Sequence, residues 1–319
     1  MSLFNTRSRN SCSLIMLFAV SISMGTCCDT FAQRNKQQDA IQKLRQLLLE
    51  KSSLHRDLEY ARVDNRSLKL NLAIPNDATS STPLVIWIHG GGWNSGSKDA
   101  PSPAVAMLLV GYAVASIEYR FLDDAPFPAQ IHDAKAAVRW LRANAGKYNI
   151  DPDKFAVWGA SAGGHLASLL GTSGGVEDLE GTVGNHVGVS SRVQVVCNYY
   201  GPTDLTFWFG KDGNEFTLPG KLAEVPSKMF RTTVRDRQAE AEIFSPISYV
   251  SREDPPVIIV QGDKDPIVMI EHNRGFVTSL KENRVKVEAI VLAGAGHGGK
   301  EFMNPNLLKR LAEFFNMAW

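Results

Sequence analysis

Residues 155–163 read FAVWGASAG, an apolar run that leads into a serine with a glycine two positions to either side. The apolar run predicts a strand and the pattern from Ala162 onward predicts a helix, so Ser161 lies in the sharp turn between them. Such a turn crowds the backbone, and side chains at positions 159 and 163 would clash, whereas glycines leave the serine hydroxyl projecting above the sheet. Ser161 is therefore a candidate nucleophile. The alternative is a plain serine that caps the helix.

A second glycine-rich motif, HGGGW at residues 89–93, directly follows the apolar run 84–88. If that run is a parallel strand, its carboxyl end meets the same edge of the sheet as Ser161. Consecutive glycines leave backbone N–H groups uncovered, and two of them, with the N–H of Ala162, can bind the oxyanion that forms when an acyl carbonyl becomes tetrahedral. A phosphate-binding loop is the alternative, but no Lys-Ser or Lys-Thr pair follows at the required spacing.

A serine hydroxyl needs a base to attack at neutral pH, and His297 is the best placed of the seven histidines. It lies in AGAGHGG, residues 293–299, which follows the last predicted strand and can reach the carboxyl edge of the sheet. Three other histidines are less suitable. His165 lies along the helix that follows the serine, His272 lies in the middle of another predicted helix, and His89 lies at the start of the glycine loop. The glycines around His297 also resemble a dinucleotide fingerprint, but only one predicted helix follows them.

An imidazole that becomes charged in the transition state needs a carboxylate that fixes its tautomer and stabilises the cation. Asp263 and Asp265 both lie in QGDKDP, residues 261–266, directly after an apolar run and between the serine and the histidine in chain order. Asp265 has a second interpretation as a helix cap before Pro266. The residues themselves leave both carboxylates open as the third member of the site.

From about residue 62 onward, short apolar runs alternate with helical patterns, and glycine, proline or aspartate marks each junction. This alternation predicts an α/β fold with a mostly parallel central sheet flanked by helices. Residues 206–242 fit no such unit and are expected to form a cap-like insertion. The predicted strands are residues 68–74, 84–88, 113–119, 155–158, 193–199, 257–260 and 285–291, and the predicted helices are residues 128–145, 162–170, 271–281 and 305–317.

The amino-terminal segment has the pattern of a secretory signal peptide. Two arginines precede the apolar stretch 14–24, which is shorter than the roughly 20 residues of a membrane-spanning helix. We therefore interpret residues 1–32 as a signal peptide that is cleaved after Ala32, and we expect a secreted or periplasmic chain that does not insert stably into a membrane. A lipid anchor on Cys27 or Cys28 is the alternative.

The rest of the chain divides at about residue 60. In residues 33–60, leucines and an isoleucine at helical spacing predict an amphipathic helix or linker, and residues 61–319 form the α/β domain. Cys197 is the one cysteine that remains after cleavage, and it lies in an apolar run. It is therefore expected to be a small buried side chain, with no internal disulfide to stabilise the exported protein.

The overall composition is that of an ordinary globular protein, with 319 residues of which 44% are hydrophobic and 21% charged. Because 34 Lys and Arg face 33 Asp and Glu, the charge gives no reason to expect nucleic acid or an anionic membrane as a partner. No His-Glu-x-x-His motif occurs and Cys197 is isolated, so no metal site is expected. The oligomeric state is left open.

Together these motifs resemble the α/β-hydrolase fold, and specifically the esterases related to hormone-sensitive lipase. The resemblance covers about residues 62–319 and rests on the elbow, the HGGG loop and the order of serine, aspartate and histidine in the chain. Four further stretches are similar to the bacterial branch that holds acetyl-xylan and feruloyl esterases: IEYR at 117–120, PFPAQ at 126–130, DP at 151–152 and YGP at 200–202.

The resemblance implies a role for each residue of the site. Asp265 is implied as the acid because the acid of this family is the fourth residue after the position that Gln261 holds here. Members of the family often carry histidine at that position, so Gln261 departs from the pattern. The implied nucleophile, base and acid are Ser161, His297 and Asp265, and the implied oxyanion donors are the amides of Gly91, Gly92 and Ala162.

The implied reaction is hydrolysis of a carboxylic ester through an acyl-serine, which needs no cofactor. With export, the expected substrate is a small-molecule or carbohydrate ester, in particular an acetyl or feruloyl group on a polysaccharide or oligosaccharide. The alternatives are a general short-chain carboxylesterase, a peptidase or amidase with the same three residues, and a non-catalytic binding module, against which the intact set of residues argues. Four aromatic residues are candidate substrate contacts or packing contacts: Trp93, Phe207, Trp208 and Phe209.

Overall fold

The structure is a computed structural model that describes residue 48 and residues 50–78, 81–209, 218–230 and 234–319. The predicted signal peptide, residues 1–32, lies outside the described residues, and so does most of the helix predicted to follow it. In the part of the chain that is described, no helix is long and apolar enough to cross a bilayer.

Eight strands of the described residues form one sheet. They are β1 (Ser52–Val63), β2 (Arg66–Pro75), β3 (Thr82–Ile88), β4 (Ala113–Ile117), β5 (Ile150–Ala160), β6 (Val195–Tyr199), β7 (Val257–Gly262) and β8 (Val287–Leu292). Their order across the sheet is β1-β2-β4-β3-β5-β6-β7-β8. The two contacts made by β2 are antiparallel and the other five are parallel, which confirms the predicted mostly parallel sheet.

Helices cover both faces of this sheet. They are α1 (Ala129–Ala143), α2 (Ala162–Thr172), α3 (Glu177–Glu180), α4 (Val225–Met229), α5 (Val234–Ile243), α6 (Glu271–Glu282) and α7 (Pro305–Asn316). The four predicted helices correspond to α1, α2, α6 and α7. Short 3-10 helices complete the described structure: Pro103–Val110, Ala145–Tyr148, Leu205–Trp208, Gly220–Glu224, Pro246–Tyr249 and Lys300–Met303.

The strand β7 shows how the core is divided between the two faces. Val257 and Ile259 belong to a buried cluster that includes side chains of α1, α2 and α6. Ile258 and Val260 belong to a second cluster, which includes side chains of α7 and the 3-10 helix 103–110. Because both faces of the strand are covered, its side chains must be apolar without interruption, which explains the run of four apolar residues in the sequence.

The strand β1 corrects the prediction for residues 33–60, which placed a helix or linker up to residue 60. Residues from Ser52 onward instead form an edge strand that pairs with β2. Most of its side chains are at least partly exposed, and an irregularity in the register between His55 and Leu58 interrupts the pairing. A partly polar strand with a bulge lacks the regular alternation by which strands are identified. The sheet of the α/β domain therefore includes residues from Ser52 onward, which the prediction had assigned to the preceding segment.

The described residues of the predicted insertion pack on the sheet domain through buried apolar side chains. We call its described residues, 206–209, 218–230 and 234–242, the cap. Within α4 and directly after it, Met229 and Phe230 are each 1% exposed. The Phe230 ring stacks on that of Phe244, with the ring centroids 5.9 Å apart. The cap is therefore a packed part of the domain and not a loose connection.

The carboxyl ends of the parallel strands lie at one edge of the sheet. The glycine loop 89–93 follows β3, Ser161 follows β5, Asp265 lies shortly after β7, and His297 lies shortly after β8. The topology thus brings four segments that are far apart in the chain to the edge where open α/β sheets bind ligands.

Candidate active site

Ser161 occupies the turn between β5 and α2 with φ 54° and ψ −122°. A positive φ is uncommon for a residue with a side chain and marks a strained backbone. The Ser161 amide donates to the carbonyl oxygen of Tyr199 at 2.8 Å, which holds the turn. A Cβ atom added to Gly159 would overlap the carbonyl oxygen of Gly163, and one added to Gly163 would overlap that of Ile88. The structure therefore confirms that both glycines are required by the close packing of this elbow.

Ser161, His297 and Asp265 form one chain of hydrogen bonds. The Ser161 hydroxyl lies 2.8 Å from His297 Nε2, and His297 Nδ1 lies 2.7 Å from Asp265 Oδ2. With a proton on Nδ1 donated to the carboxylate, Nε2 is left as the acceptor for the serine proton. The His297 side chain is 15% exposed and the Asp265 side chain 1%, so the imidazole reaches solvent while the carboxylate is buried.

The two aspartates after β7 have different partners. Asp265 Oδ1 accepts hydrogen bonds from the amides of Ile267 and Val268, each at 2.9 Å, and its Oδ2 faces the imidazole. Asp263 Oδ1 accepts instead from the amide of Gly294 at 2.6 Å, in the loop that carries the histidine. Of the two aspartates that the sequence left open, Asp265 contacts the imidazole and Asp263 contacts the loop that carries it, so Asp265 stays the predicted acid.

The turn that carries the acid and the loop that carries the base are joined along their backbones. The amide of Asp263 donates to the carbonyl oxygen of Leu292 at 3.2 Å, and the amide of Lys264 donates to that of Ala295 at 2.9 Å. A Cβ atom on Gly262 would overlap the Ala295 carbonyl oxygen, so the two segments lie in direct contact. The separation of acid and base is therefore fixed by the backbone as well as by the side chains.

The ring of Tyr200 packs edge to face against the His297 imidazole, with the ring centroids 4.8 Å apart. Tyr200 directly follows β6 with φ 43°, and its amide donates to the carbonyl oxygen of Val260 at 2.8 Å. Burial, and to a lesser degree the negative charge of Asp265, raise the pKa of Tyr200 to about 12. Tyr200 is therefore a neutral phenol that packs against the imidazole of the base.

Three further histidines lie in structural hydrogen bonds. Their partners are backbone carbonyl oxygens, that of Phe244 for His165, that of Asp204 for His272 and that of Gly90 for His89. Burial lowers the pKa of His165 to about 4, and it also lowers the pKa of His272 and His89. These bonds agree with the choice of His297 as the candidate base.

The glycine loop passes directly beside the serine. A Cβ atom on Gly90 would lie 2.8 Å from the Ala160 carbonyl oxygen and 3.2 Å from Ser161 Cβ. Gly91 and Gly92 follow with φ of 117° and 60°, a region that glycine enters without steric cost. The loop can therefore approach the elbow more closely than a chain with side chains at these positions.

The predicted oxyanion donors belong to this loop and to the elbow helix. Within the described part of the chain, the amides of Gly91 and Gly92 donate no backbone hydrogen bond. Ala162 is the first residue of α2, and amides in the first turn of a helix have no acceptor within the helix. Gly91 and Gly92 belong to the loop that passes Ser161 at Gly90, and Ala162 directly follows the serine, so the three amides stay candidate oxyanion donors.

The cap reaches the glycine loop at Leu222. A Cβ atom on Gly92 would lie 2.5 Å from Leu222 Cδ2 and 3.8 Å from Val225 Cγ2. Val225 is buried in the core, and Leu222 is partly buried and packs against the same cluster. An apolar side chain of the cap therefore covers one side of a predicted oxyanion donor.

Of the four aromatic residues predicted as candidate substrate contacts, three are buried. Trp93 and Trp208 are each 4% exposed and pack edge to face, with the ring centroids 5.9 Å apart. Phe209 is 8% exposed and contacts Phe230. Phe207, in contrast, is 41% exposed. The packing alternative therefore describes Trp93, Trp208 and Phe209, and contact with substrate stays a prediction for Phe207.

The one cysteine of the predicted mature chain lies in the hydrophobic core. Cys197 lies in β6 with no exposed surface, which confirms that it is a buried side chain, and burial raises the pKa of its thiol. Among the residues that the structure describes, no group of three or more His, Cys, Asp or Glu side chains is arranged to hold a metal ion.

Three contacts at this site have no signal that the sequence alone could supply. Tyr200 lies in the stretch YGP, which marks a resemblance but does not indicate that the ring meets His297. Leu222 lies in an insertion without periodicity, and its contact with Gly92 depends on how the cap folds back. Gln261 donates to the carboxylate of Asp265, a bond that its position four residues earlier does not reveal.

Comparison with known proteins identifies the family. The BD-FAE family profile matches residues 70–280. Esterase LipC from Mycobacterium tuberculosis is 32% identical over 224 residues, which cover 69% of this chain and 54% of LipC. Esterase LipQ from the same organism is 32% identical over 202 residues, 63% of this chain and 46% of LipQ. The chain therefore spans about half the length of the curated relatives it matches.

Solved structures show the same fold. A truncated form of a carbohydrate esterase from gut microbiota has a TM-score of 0.76 and 28% identity, covering 84% of this chain and 96% of that one. An acetyl ester-xyloside bifunctional hydrolase from Caldicellulosiruptor lactoaceticus has a TM-score of 0.62 and 25% identity, covering 80% and 86%. These matches confirm the predicted α/β-hydrolase fold and the resemblance to esterases. The family match covers about two thirds of the chain, and the protein therefore belongs to the BD-FAE family.

Proposed function

We propose that this protein is a serine carboxylic-ester hydrolase. The observation that carries the proposal is the hydrogen-bonded chain from Ser161 through His297 to Asp265, beside a glycine loop at the carboxyl edge of the sheet. A serine, a histidine and a buried carboxylate in this order can activate a hydroxyl without a cofactor. The names of the relatives support the same activity, since LipC is an esterase and the structural neighbours include a carbohydrate esterase.

In the first half of the reaction, Ser161 Oγ attacks the carbonyl carbon of the ester while its proton passes to His297 Nε2. Asp265 accepts the Nδ1 proton of the imidazole in a hydrogen bond and stabilises the imidazolium that forms. The negative charge that develops on the carbonyl oxygen is stabilised by the amides near Ser161, for which we propose Gly91, Gly92 and Ala162. The C–O bond then breaks, and the leaving alcohol takes the proton from the imidazolium.

In the second half, water attacks the acyl-Ser161 ester. His297 Nε2 takes a proton from the water, a second tetrahedral oxyanion forms in the same site, and the proton returns to Ser161 Oγ as the carboxylic acid leaves. Both halves need an unprotonated imidazole at the start.

The substrate that we propose is an acetyl or feruloyl ester of a polysaccharide or oligosaccharide. The names of two structural neighbours support it, since one is a carbohydrate esterase and the other an acetyl ester-xyloside hydrolase. The exposed ring of Phe207 offers an apolar surface of the kind on which sugar rings pack. General hydrolysis of short-chain esters is the second candidate, and Leu222 favours it because an apolar side chain over Gly92 limits the space for a large acyl group.

The test is a hydrolysis panel with purified protein and a Ser161→Ala control. Acetylated xylan, methyl ferulate, p-nitrophenyl acetate and longer acyl esters separate carbohydrate deacetylation from general esterase activity. A peptide p-nitroanilide tests the amidase alternative. We expect the wild-type protein to hydrolyse esters and Ser161→Ala to lose more than about a thousandfold in kcat. A folded Ser161→Ala variant that keeps its turnover would overturn the assignment of the nucleophile.

We also propose that the chain is exported, on the basis of the arginines, the short apolar stretch and the small residues in segment 1–32. Expression of the full chain followed by fractionation and amino-terminal sequencing tests this. A mature protein that begins at Gln33 in the periplasm or medium is the expected result. An uncleaved chain in the cytoplasm contradicts export, and a lipidated Cys27 or Cys28 establishes the alternative.

A further inference from the structure

Gln261 lies at the end of β7, and its side-chain amide points at the candidate acid. Gln261 is 2% exposed. Its Nε2 donates to Asp265 Oδ2 at 3.0 Å and to the carbonyl oxygen of Val268 at 2.7 Å. The oxygen Oδ2 is the same atom that accepts from His297 Nδ1. Gln261 and the base therefore share one carboxylate oxygen of Asp265.

The orientation of this amide is fixed by its surroundings. Asn273, in α6 and 4% exposed, donates from Nδ2 to Gln261 Oε1 at 2.8 Å. The Asn273 Oδ1 atom in turn accepts from the hydroxyl of Thr203 at 2.9 Å. A flipped Gln261 amide would place its oxygen against Asp265 Oδ2 and the Val268 carbonyl, and its NH₂ group against the Asn273 donor. Only the observed orientation satisfies the three neighbours of the amide: Asp265 Oδ2, the Val268 carbonyl oxygen and Asn273 Nδ2.

We propose that Gln261 is a positioning residue for the ester hydrolysis, one that holds the Asp265 carboxylate in the orientation required by His297; this rests on the proposed function. Two backbone amides hold Asp265 Oδ1, from Ile267 and Val268. Gln261 is the partner, besides His297, that the described structure gives to Oδ2. The carboxylate is thus fixed at both oxygens, and the imidazole receives an acceptor that cannot rotate away.

The competing interpretation is that Gln261 only fills a buried polar space between β7 and α6. In that case, its replacement would lower stability without changing the turnover of the folded protein. A positioning residue acts in the transition state, where the imidazole is charged, so its loss lowers kcat while KM stays nearly constant. The split between kcat and KM therefore separates the two interpretations.

The experiment compares Gln261→Met and Gln261→Glu with the matched control Gln130→Met. Methionine keeps the volume of glutamine but removes the donor. Gln130 is also fully buried, and its amide donates to the carbonyl oxygen of Ala125 at 2.8 Å. We expect Gln261→Met to lose about tenfold in kcat on p-nitrophenyl acetate with KM within about twofold of wild type, since hydrogen bonds to charged groups are of this strength. We expect Gln130→Met to keep wild-type kcat.

The variant Gln261→Glu adds a second readout. Its carboxyl group keeps the acceptor for Asn273 and can donate to Asp265 only while it is protonated. When it ionises, two carboxylates face each other, which is unfavourable. The activity of Gln261→Glu relative to wild type should therefore fall as the pH rises. Among the described residues, His297 contacts Asp265 directly, and Tyr200 and His272 couple to its charge; all three are unchanged in this variant.

Each outcome decides the matter. If the wild-type protein hydrolyses no ester, the proposed function fails. If the wild-type protein is active and folded Gln261→Met matches Gln130→Met in kcat, the function stands and the positioning role is overturned. Should Gln261→Met not fold, Gln261→Glu decides by itself: a kcat that equals wild type at a pH where the pH dependence of its unfolding shows the new carboxyl to be ionised would contradict the proposal. Circular dichroism and thermal unfolding of every variant establish that folded proteins are compared.

Discussion

The elbow and the cap both contact the glycine loop, the elbow at Gly90 and the cap at Gly92, but they are constructed in opposite ways. The elbow is a local motif in which nine consecutive residues, 155–163, specify a strand, a turn and a helix. Its glycines are required by close backbone contacts, that of Gly159 with Gly163 and that of Gly163 with Ile88 of β3. The cap has no such motif, and a few buried apolar residues such as Met229 and Phe230 attach it to the core. The comparison suggests that the chemistry depends on the elbow side and the choice of substrate on the cap side.

The largest effect should come from the acid that serves the elbow. Asp265→Asn can present an amide NH₂ group to His297 Nδ1, which forces the wrong tautomer, and we expect kcat to fall by about ten thousandfold. Asp263→Asn keeps an oxygen that can accept from the Gly294 amide and removes only the negative charge, so it should cost about tenfold at most. Steady-state kinetics on p-nitrophenyl acetate measure both variants. A larger loss of kcat in Asp263→Asn than in Asp265→Asn would make Asp263 the acid.

A smaller effect should appear at the hydrogen bond that joins the elbow helix α2 to the segment just after the cap. His165 belongs to the elbow helix α2 and bonds to the carbonyl oxygen of Phe244, just after the cap. Burial lowers the pKa of His165 from its usual 6.5 to about 4 in the folded protein. Between these values the unfolded chain binds the extra proton and the folded one does not, so the free energy of unfolding should decrease as the pH falls, by about 3 kcal/mol in total.

Denaturant unfolding of wild type and His165→Gln at about pH 7 and about pH 4.5 measures this effect. His272 and His89 have pKa values that burial also lowers, so part of the decrease should remain in the variant. An equal pH dependence in both proteins would show that His165 is not a source of the pH dependence of stability.

The next effect concerns acyl size and lies wholly on the cap side. Leu222→Ala removes the side chain that lies over Gly92 and enlarges the space beside the oxyanion donors. We expect the ratio of kcat/KM for p-nitrophenyl hexanoate to that for the acetate to rise about tenfold, since one or two methylene groups in an apolar pocket change binding by this amount. Lys221→Ala, an exposed neighbour, is the control. An unchanged ratio would remove the cap from acyl selection.

The smallest effect is expected at Phe207, the exposed aromatic residue of the cap. Phe207→Ala should raise KM for acetylated xylan about threefold and leave KM for p-nitrophenyl acetate unchanged, because the ring would contact the sugar and not the acyl group. A similar change on both substrates would instead indicate that Phe207 stabilises the cap. The prediction therefore asks whether the cap also contacts the alcohol part of the ester.

Sequence reasoning succeeded where the information is local. The elbow, the glycine loop and the histidine loop each combine a predicted strand with glycines, and the strand ends meet because parallel strands share one edge. Asp263 and Asp265 could not be separated in this way, because both follow β7 and only their hydrogen-bond partners distinguish them. The family resemblance indicated Asp265, and the geometry agrees with it.

Sequence reasoning failed where a contact depends on distant packing or on irregular pairing. The strand β1 has a register irregularity and an exposed face, so it reads as a linker until its pairing with β2 is known. Trp93 and Trp208 are 115 residues apart in the sequence, and they pack edge to face only because the cap folds back over the loop. The contact of Leu222 with Gly92 has the same origin. These cases share a lack of short-range periodicity, which is the signal that sequence patterns use.

The backbone bonds between the turn at Asp263 and the loop at Ala295 have one further consequence. Because acid and base belong to one connected piece of backbone, any breathing of the domain near the site should open the gap between the serine and the imidazole before it disturbs the imidazole and the carboxylate. A resting form of the protein would then keep the imidazole hydrogen-bonded to the carboxylate and differ from the working form in a single distance, that from the ring to the serine hydroxyl.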